Sequence, residues 1–340
     1  MNLDSIHTIV YSKHPKVCSF ASVVGPKEGR GPFKDAFDLV MPTPECGQSS
    51  YEAAEQTMLN HAAHVCLEKA DVRPQQVQAM LGGDLLNQII STSFTAREMA
   101  IPFLGLYGAC STMAESLLLG AILVDGGYAS PVLCTAGSHY CTAERQFRYP
   151  LEYGNQRTPA AQWTVSGAGA CLLNQNKGKI CITHATIGRV IDLGVTDANN
   201  MGAAMAPAAA DTLYRHFCDT HRKPSDYDRI FSGDLGMIGS SLLIQLMKEK
   251  AFPLDEQTYF DCGNLIFDPK DDVHAGASGC GCSASVLAAY ILPNIAKGAW
   301  KRVLFMATGA LMSTVSSQQG ESIPGIAHAV VFEHGSDEAN

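Results

Sequence analysis

The chain has 340 residues, of which 46% are hydrophobic and 17% charged, with a net charge of −9 and a sequence pI near 5.6. These proportions suit a soluble protein with a large core, and the acidic balance excludes a general nucleic-acid surface, which needs a basic face to displace counterions from phosphate. The apolar run after Cys110 falls well short of the ~20 residues of a spanning helix, so the chain is not expected to cross a membrane.

The first residues, MNLDSIHTIVYSKHP, show no basic segment leading into an apolar run and a small-residue cleavage site, so secretion is not expected. The twelve cysteines are then expected in a reducing compartment, and Cys66, Cys134, Cys171 and Cys181, inside apolar runs, read as small buried hydrophobes. Cys280 and Cys282 form a C-x-C, but no second pair follows at metal-ligand spacing. No metal and no cofactor is expected.

The stretch from Lys27 to Gln48 is rich in Gly, Pro and charge and reads as a loop. Ser49 or Ser50 then caps a helix to about Ala70, with Glu52 in its first turn and Ala54, Met58, Ala62, Val65 and Cys66 on its inner face. There follow the strand VQAMLGG, a helix near Ile89 to Met99, the strand PFLGLYG, a long helix from Ser111 to Asp125 and the strand VLCTAG. The strands WTVSGAGACLL and KICITHATIG meet at the polar turn NQNKGK, and a helix from Ala208 to Asp219 opens a second series that runs through VLFMATGA. Helices alternating with strands apolar on both faces indicate an α/β protein with a largely parallel, doubly covered sheet.

The chain repeats itself. Residues 80–88 read MLGGDLLNQ and residues 230–240 read IFSGDLGMIGS, which sets Asp84 against Asp234 at a separation of 150. Further on, Gly127 matches Gly298 and Val132 matches Val303 at a separation of 171. The two separations differ by 21, an insertion assigned to the polar stretch from Asp255 to Asp272. Two long copies imply a duplicated α/β unit rather than a solenoid, with halves at 1–176 and 177–340.

The duplication, the G-A-C-S of residues 108–111 opening a long helix, and the S-G-A-G-A of residues 166–170 resemble the thiolase and ketoacyl-synthase superfamily over nearly the whole chain. That resemblance implies an α-β-α-β-α layered body, a homodimer paired through the first-half sheet, and a cysteine, Cys110, whose helix N-terminus favours thiolate. A narrower set of strings is similar to the stage V sporulation protein AD family of spore-forming bacteria: SVVGPKEGRGP, GGDLLNQ, YGACSTMAESL, TAERQFRYPLEYGNQ, AMAPAAADT, and IPGIAHAVVFE beginning at Ile323. That family resemblance implies binding of dipicolinic acid, free or as its calcium chelate, to support uptake into the developing spore. It also implies membrane-protein partners from the same sporulation operon, and a cytoplasmic protein held peripherally at the spore inner membrane.

Ketoacyl synthases pair their cysteine with a histidine and an asparagine. Matching Gly279 to Ser285 with the superfamily motif puts Cys280 at the asparagine, and Asp234 falls near the histidine. A carboxylate there cannot donate as an imidazole does and disfavours an adjacent thiolate, so Cys110 alone remains and a binder is expected rather than an enzyme. His139, after VLCTAG, stands at the strand end where open α/β sheets bind ligands, or is a hydrogen-bonded loop histidine. His328, expected in the loop before AVVFE, is a site candidate or a structural residue. Arg145, Phe147, Arg148, Tyr149 and Tyr153 offer a carboxylate grip and stacking faces for an aromatic dicarboxylate, or else a protein interface. Asn87 and Asp84 sit on the ligand side of a strand end, though Asp84 equally suits a cap or a buried anchor. Three readings stand: a dipicolinate binder, an acyl-CoA or acyl-carrier condensing enzyme using Cys110, and an assembly protein with a vestigial pocket.

Overall fold

The structure is a computed structural model that describes residues 7–147 and 157–335. In the first half, strands β1 (Lys16–Val24), β2 (Ala79–Gly83), β3 (Phe103–Gly105), β4 (Val132–Ser138) and β5 (Gly167–Asn174) lie in the order β3-β2-β4-β5-β1. In the second, β6 (Ile180–Thr186), β7 (Arg229–Ser232), β8 (Tyr259–Asp261), β9 (Arg302–Ala310) and β10 (Gly325–His334) repeat it as β8-β7-β9-β10-β6. Within each half the three strands after the first are parallel and the last runs antiparallel to its neighbours. The halves meet where Lys16 and Val17 of β1 pair with Cys181 and Ile180 of β6.

Helices α1 (Tyr51–Lys69) and α2 (Ile90–Met99) cover one outer face. The central layer holds α3 (Thr112–Asp125), which touches strands of both halves. The short α4 (Tyr140–Phe147) follows β4 and lies against α1. The other outer face carries α5 (Met201–Thr220) and α6 (Gly236–Glu249). The central layer is completed by α7 (Cys280–Val286), which runs on through a π turn, Leu287–Ile291, to Ala296. Three hydrophobic clusters among the described residues correspond to these helical layers: one under α1 and α2, one between the two halves of the sheet around α3 and α7, and one under α5 and α6. This is the α-β-α-β-α body expected.

The repeat extends to backbone conformation. Gly127 and Gly298, the matched glycines, both have φ +74 and close the central helices, a left-handed stop that glycine alone adopts without penalty. The 21 extra residues of the second copy are not a single loop. They are divided among the connection from α6 to β8, the stretch from β8 to α7 and the π turn within the central helix, and β8 with its Asp261 lies inside the segment read as insertion. Helix α5 starts at Met201 rather than Ala208, because Asn200 caps it, accepting from Ala203 N at 3.3 Å, and Pro207 falls inside it. Among the described residues no helix is long and apolar enough to cross a membrane.

Candidate ligand-binding site

A cavity of about 670 Å³ opens where the strands of both halves end, within the ~300–1,000 Å³ usual for small-molecule sites. Residues after β2 (Asp84 to Asn87) form one wall, residues after β9 (Ala310 to Ser316) the facing wall, and α4 the rim with Arg145, Gln146 and Phe147. Cys110 is at the floor, 5% exposed. It sits in a tight 3-10 turn that leads into α3, held by Ser111 Oγ donating to Gly108 O at 2.7 Å and Thr112 Oγ1 donating to Ala109 O at 2.6 Å. Three non-glycine residues of the lining region take left-handed backbone angles: Gln88 (φ 58), Ile89 (φ 45) and Ala109 (φ 49). For a β-branched side chain such as Ile89 this is strained, and strain of this kind gathers at ligand sites.

The Asp234 carboxyl acts on the Cys110 thiol as a nearby negative charge. Asp234 is fully buried, and its carboxylate accepts from Gly279 N at 2.9 Å, Thr308 Oγ1 at 2.9 Å and Ser278 Oγ at 3.3 Å. Burial pushes Asp234 up to about 6 against those donors. Burial, then Asp234, then Cys280 push the Cys110 thiol well above its ordinary value. The helix N-terminus that should favour thiolate is therefore opposed by desolvation and a like charge.

Asp84, Asn87, Cys110 and Arg145 come together around the cavity. Asp84 is also an anchor: Oδ1 accepts from Leu86 N at 2.9 Å, and Oδ2 from Thr92 N at 2.8 Å and Thr92 Oγ1 at 2.7 Å. Asn87 Oδ1 accepts from Gln146 Nε2 at 3.1 Å, joining the wall to α4, and Arg145 pairs with Glu52 of α1. Asp234 lies behind Cys110 without lining the cavity. Cys280 also lies outside the lining, its thiol donating to Gly137 O at 2.8 Å.

His139, Ile323 and His328 do not line it either. His139 Nδ1 accepts from Cys141 N at 3.1 Å, so Nε2 carries the hydrogen and donates to Pro44 O at 2.9 Å. His328 is not in a loop but in β10, opposite Ala307, with Nδ1 accepting from Gly188 N at 3.2 Å and burial pushing it down to about 4. Ile323 is buried in the cluster under α5 and α6. Arg148, Tyr149 and Tyr153 lie outside the described residues.

Tyr107, Gln146, Gln162, Asn199 and Met312 line the cavity without having been singled out. Met312 follows VLFMATGA at a strand end, the signal that pointed to Asn87. Gln162 carried no signal. It is buried, and its Nε2 donates to Asp234 O at 2.8 Å and Ala277 O at 2.7 Å, which ties the Asp234 turn to the strand before α7.

A family profile described as Stage V sporulation protein AD (SpoVAD) matches residues 5–333. Stage V sporulation protein AD of Bacillus subtilis (strain 168) is 45% identical over 333 residues, 98% of either chain. Among solved structures, 3-oxoacyl-[acyl-carrier-protein] synthase III from Aquifex aeolicus VF5 is 12% identical with a TM-score of 0.59, covering 94% of this chain and 99% of that one. A variant of OleA from Xanthomonas campestris is 11% identical with a TM-score of 0.62, covering 97% and 99%. At such identities the structural likeness shows the thiolase-like fold alone. By profile and by sequence identity the chain belongs to the stage V sporulation protein AD family, sporulation proteins that here take the thiolase-like fold.

Proposed function

We propose that the chain is a non-enzymatic binding protein for dipicolinic acid that supports its uptake into the developing spore, and that the ligand occupies the cavity above Cys110. One observation carries this reading: Cys110 faces Asp234, and no histidine is among the described residues lining the cavity. Acyl transfer needs a thiolate and donors for an oxyanion, and a thiol pushed upward beside a carboxylate opposes both. A pyridine dicarboxylate instead needs a guanidinium, amide donors and apolar faces for its ring. Arg145, Asn87, Gln146, Phe147 and Met312 are groups of those kinds.

Titration calorimetry with dipicolinate, with and without calcium, tests the reading. Saturable binding is expected, weakened about ten-fold or more by Arg145→Ala, the scale of a lost charge-assisted hydrogen bond. Absence of heat at millimolar ligand overturns it. The competing reading, a condensing enzyme, predicts a thioester on Cys110 after incubation with acyl-CoAs, whereas an unchanged intact mass is expected here.

The same proposal includes a homodimer joined through the exposed edge at β3, where Leu104 and Tyr107 are 52% and 63% exposed. It also includes peripheral docking onto membrane proteins of the same operon at the spore inner membrane. Sedimentation at micromolar concentration is expected to show a dimer, and a monomer there removes the pairing.

A further inference from the structure

Helix α4 brings Arg145, Gln146 and Phe147 to the cavity, so its seating sets the shape of the mouth. Helix α1 holds it in three places. The Tyr51 ring lies 5.4 Å from the His139 ring just ahead of α4, Glu52 pairs with Arg145, and Glu55 Oε2 meets Thr142 Oγ1 at 2.5 Å. The first two are ordinary surface and ring contacts. The third is a carboxyl only 2% exposed.

Proton counting defines that contact. Thr142 Oγ1 has one hydrogen and two oxygen neighbours, Glu55 Oε2 at 2.5 Å and His139 O at 2.8 Å. A backbone carbonyl only accepts, so both bonds form together only if Thr142 donates to His139 O and Glu55 donates to Thr142. Asp84, the carboxyl whose charge acts on Glu55, has the opposite set of partners, since Leu86 N, Thr92 N and Thr92 Oγ1 all donate to it. Two buried carboxyls whose charges act on one another oppose each other's ionisation. Their partners assign the charge to Asp84 and the proton to Glu55.

We infer that Glu55 is a positioning residue of the ligand site: it keeps its proton in the folded protein and donates it to Thr142, which seats α4 over the cavity. The inference rests on the cavity's being the dipicolinate site. From α2 and the turn before it Glu55 is faced by the Ser91 hydroxyl and Asp84, from α7 by the Cys280 thiol, from α4 by Thr142, and its neighbour Glu52 on α1 is occupied by Arg145. Among the described residues no basic side chain is among the groups acting on it. Burial and then Asp84 push its carboxyl well above the usual range. As pH rises and the proton leaves, the Thr142 hydroxyl can satisfy only one of its neighbours, two negative charges face each other, and α4 loosens. Ligand binding is thereby coupled to one proton.

The seat of α4 has its own reporter, because Trp163 stacks on Tyr140, the first residue of α4, with centroids 3.8 Å apart and planes at 7°. The chain has two tryptophans, so a Trp300→Phe background leaves Trp163 alone. In that full-length background Glu55, Glu55→Gln and Glu55→Ala are compared by infrared spectroscopy, Trp163 emission and dipicolinate titration across pH. The Glu55-minus-Gln difference spectrum at neutral pH is expected to show a carboxylic-acid C=O band. A carboxylate band in its place overturns the inference whatever dipicolinate does. Glu55→Gln, whose amide donates without titrating, is expected to keep native Trp163 emission and affinity and to remove the alkaline loss of both. Glu55→Ala is expected to shift the emission and bind about ten-fold more weakly, with far-ultraviolet circular dichroism confirming that it folds. Native emission in folded Glu55→Ala overturns the positioning role. If Glu55 behaves as inferred by spectrum and emission while dipicolinate binds none of the variants, the assignment of the ligand fails and the proton at Glu55 stands.

Discussion

The Asp234 carboxylate places a buried negative charge near the Cys110 thiol, which couples the floor of the first half to the buried turn of the second. That charge raises Cys110. Asp234→Asn is therefore expected to make Cys110 easier to ionise. Alkylation by iodoacetamide at neutral pH should proceed several-fold faster in the variant at this one site, read by peptide mass. Because Asn cannot accept from Gly279 N, Thr308 and Ser278 as a carboxylate does, stability should fall by about 1–3 kcal/mol. Equal alkylation rates would mean that Asp234 does not govern the thiol.

A second pair of carboxylates explains why Asp234 is free for that role. In the first half Asp84 caps the turn into α2. In the second, the matching Asp234 leaves this duty to Asp261, which accepts from Leu235 N and Gly236 N, both at 2.9 Å, and from Ser232 Oγ at 2.6 Å. Asp261→Ala strands the buried Leu235 and Gly236 N–H groups, while Ser232 Oγ keeps the Tyr259 hydroxyl at 2.7 Å, and a loss of about 2–4 kcal/mol is expected from denaturant melts, since each orphaned group costs roughly 1–3 kcal/mol before relaxation. A loss under about 0.5 kcal/mol would return the capping role to Asp234.

These roles show where reading the chain alone succeeds. The G-D-L repeat and the matched Gly127 and Gly298 were legible because a duplicated backbone needs the same left-handed stop twice. Asp84, Asn87, Cys110 and Arg145 line the cavity; Asp84 and Asn87 were legible because strand ends are where α/β folds place ligands, Cys110 through the G-A-C-S turn, and Arg145 as a carboxylate grip in an aromatic-rich run. Glu55 was not, since YEAAEQ at a helix start looks like a solvated acidic face until α4 is laid over it. Asp261 was hidden for a similar reason, lying in a polar stretch that reads as an inserted loop although it contains the edge strand β8. His139 and His328 stood near the right strand ends, but which side of the layer their rings take is decided by packing against Pro44 and Gly188.

Glu28 gives a pH signature. Its Oε1 accepts from Ser166 N at 2.9 Å, and burial pushes its carboxyl up to about 7 from an ordinary 4.5. Between those values the folded chain holds a proton that the unfolded chain has released, so this group makes stability fall as pH rises, by about 1.4 kcal/mol per pH unit. The buried His216, pushed down to about 3 from 6.5, acts in the opposite direction over its own window, so the sum of the two conceals either. Glu28→Gln isolates the carboxyl. Relative to the parent, the variant is expected to gain about 3 kcal/mol in denaturant melts between pH 4.5 and pH 7, and a difference that does not change with pH would show Glu28 ionised throughout.

Gly309 tests how closely β9 must approach the turn that carries Cys110. A Cβ there would lie 2.4 Å from Gly108 O, 3.2 Å from Ser111 N and 3.4 Å from Cys110 N. These are backbone atoms of the turn that carries Cys110, so no side-chain rotation relieves the clash. Gly309→Ala is expected to cost about 1–3 kcal/mol, as overpacking of a close-packed interior does, and to move the thiol relative to Asp234. Both changes are measurable, the first by melting and the second by the alkylation rate of Cys110. Because the obstacle is the main chain, Cys110→Ala in the same molecule should restore none of the lost stability. Recovery in that double variant would instead place the clash on the cysteine side chain.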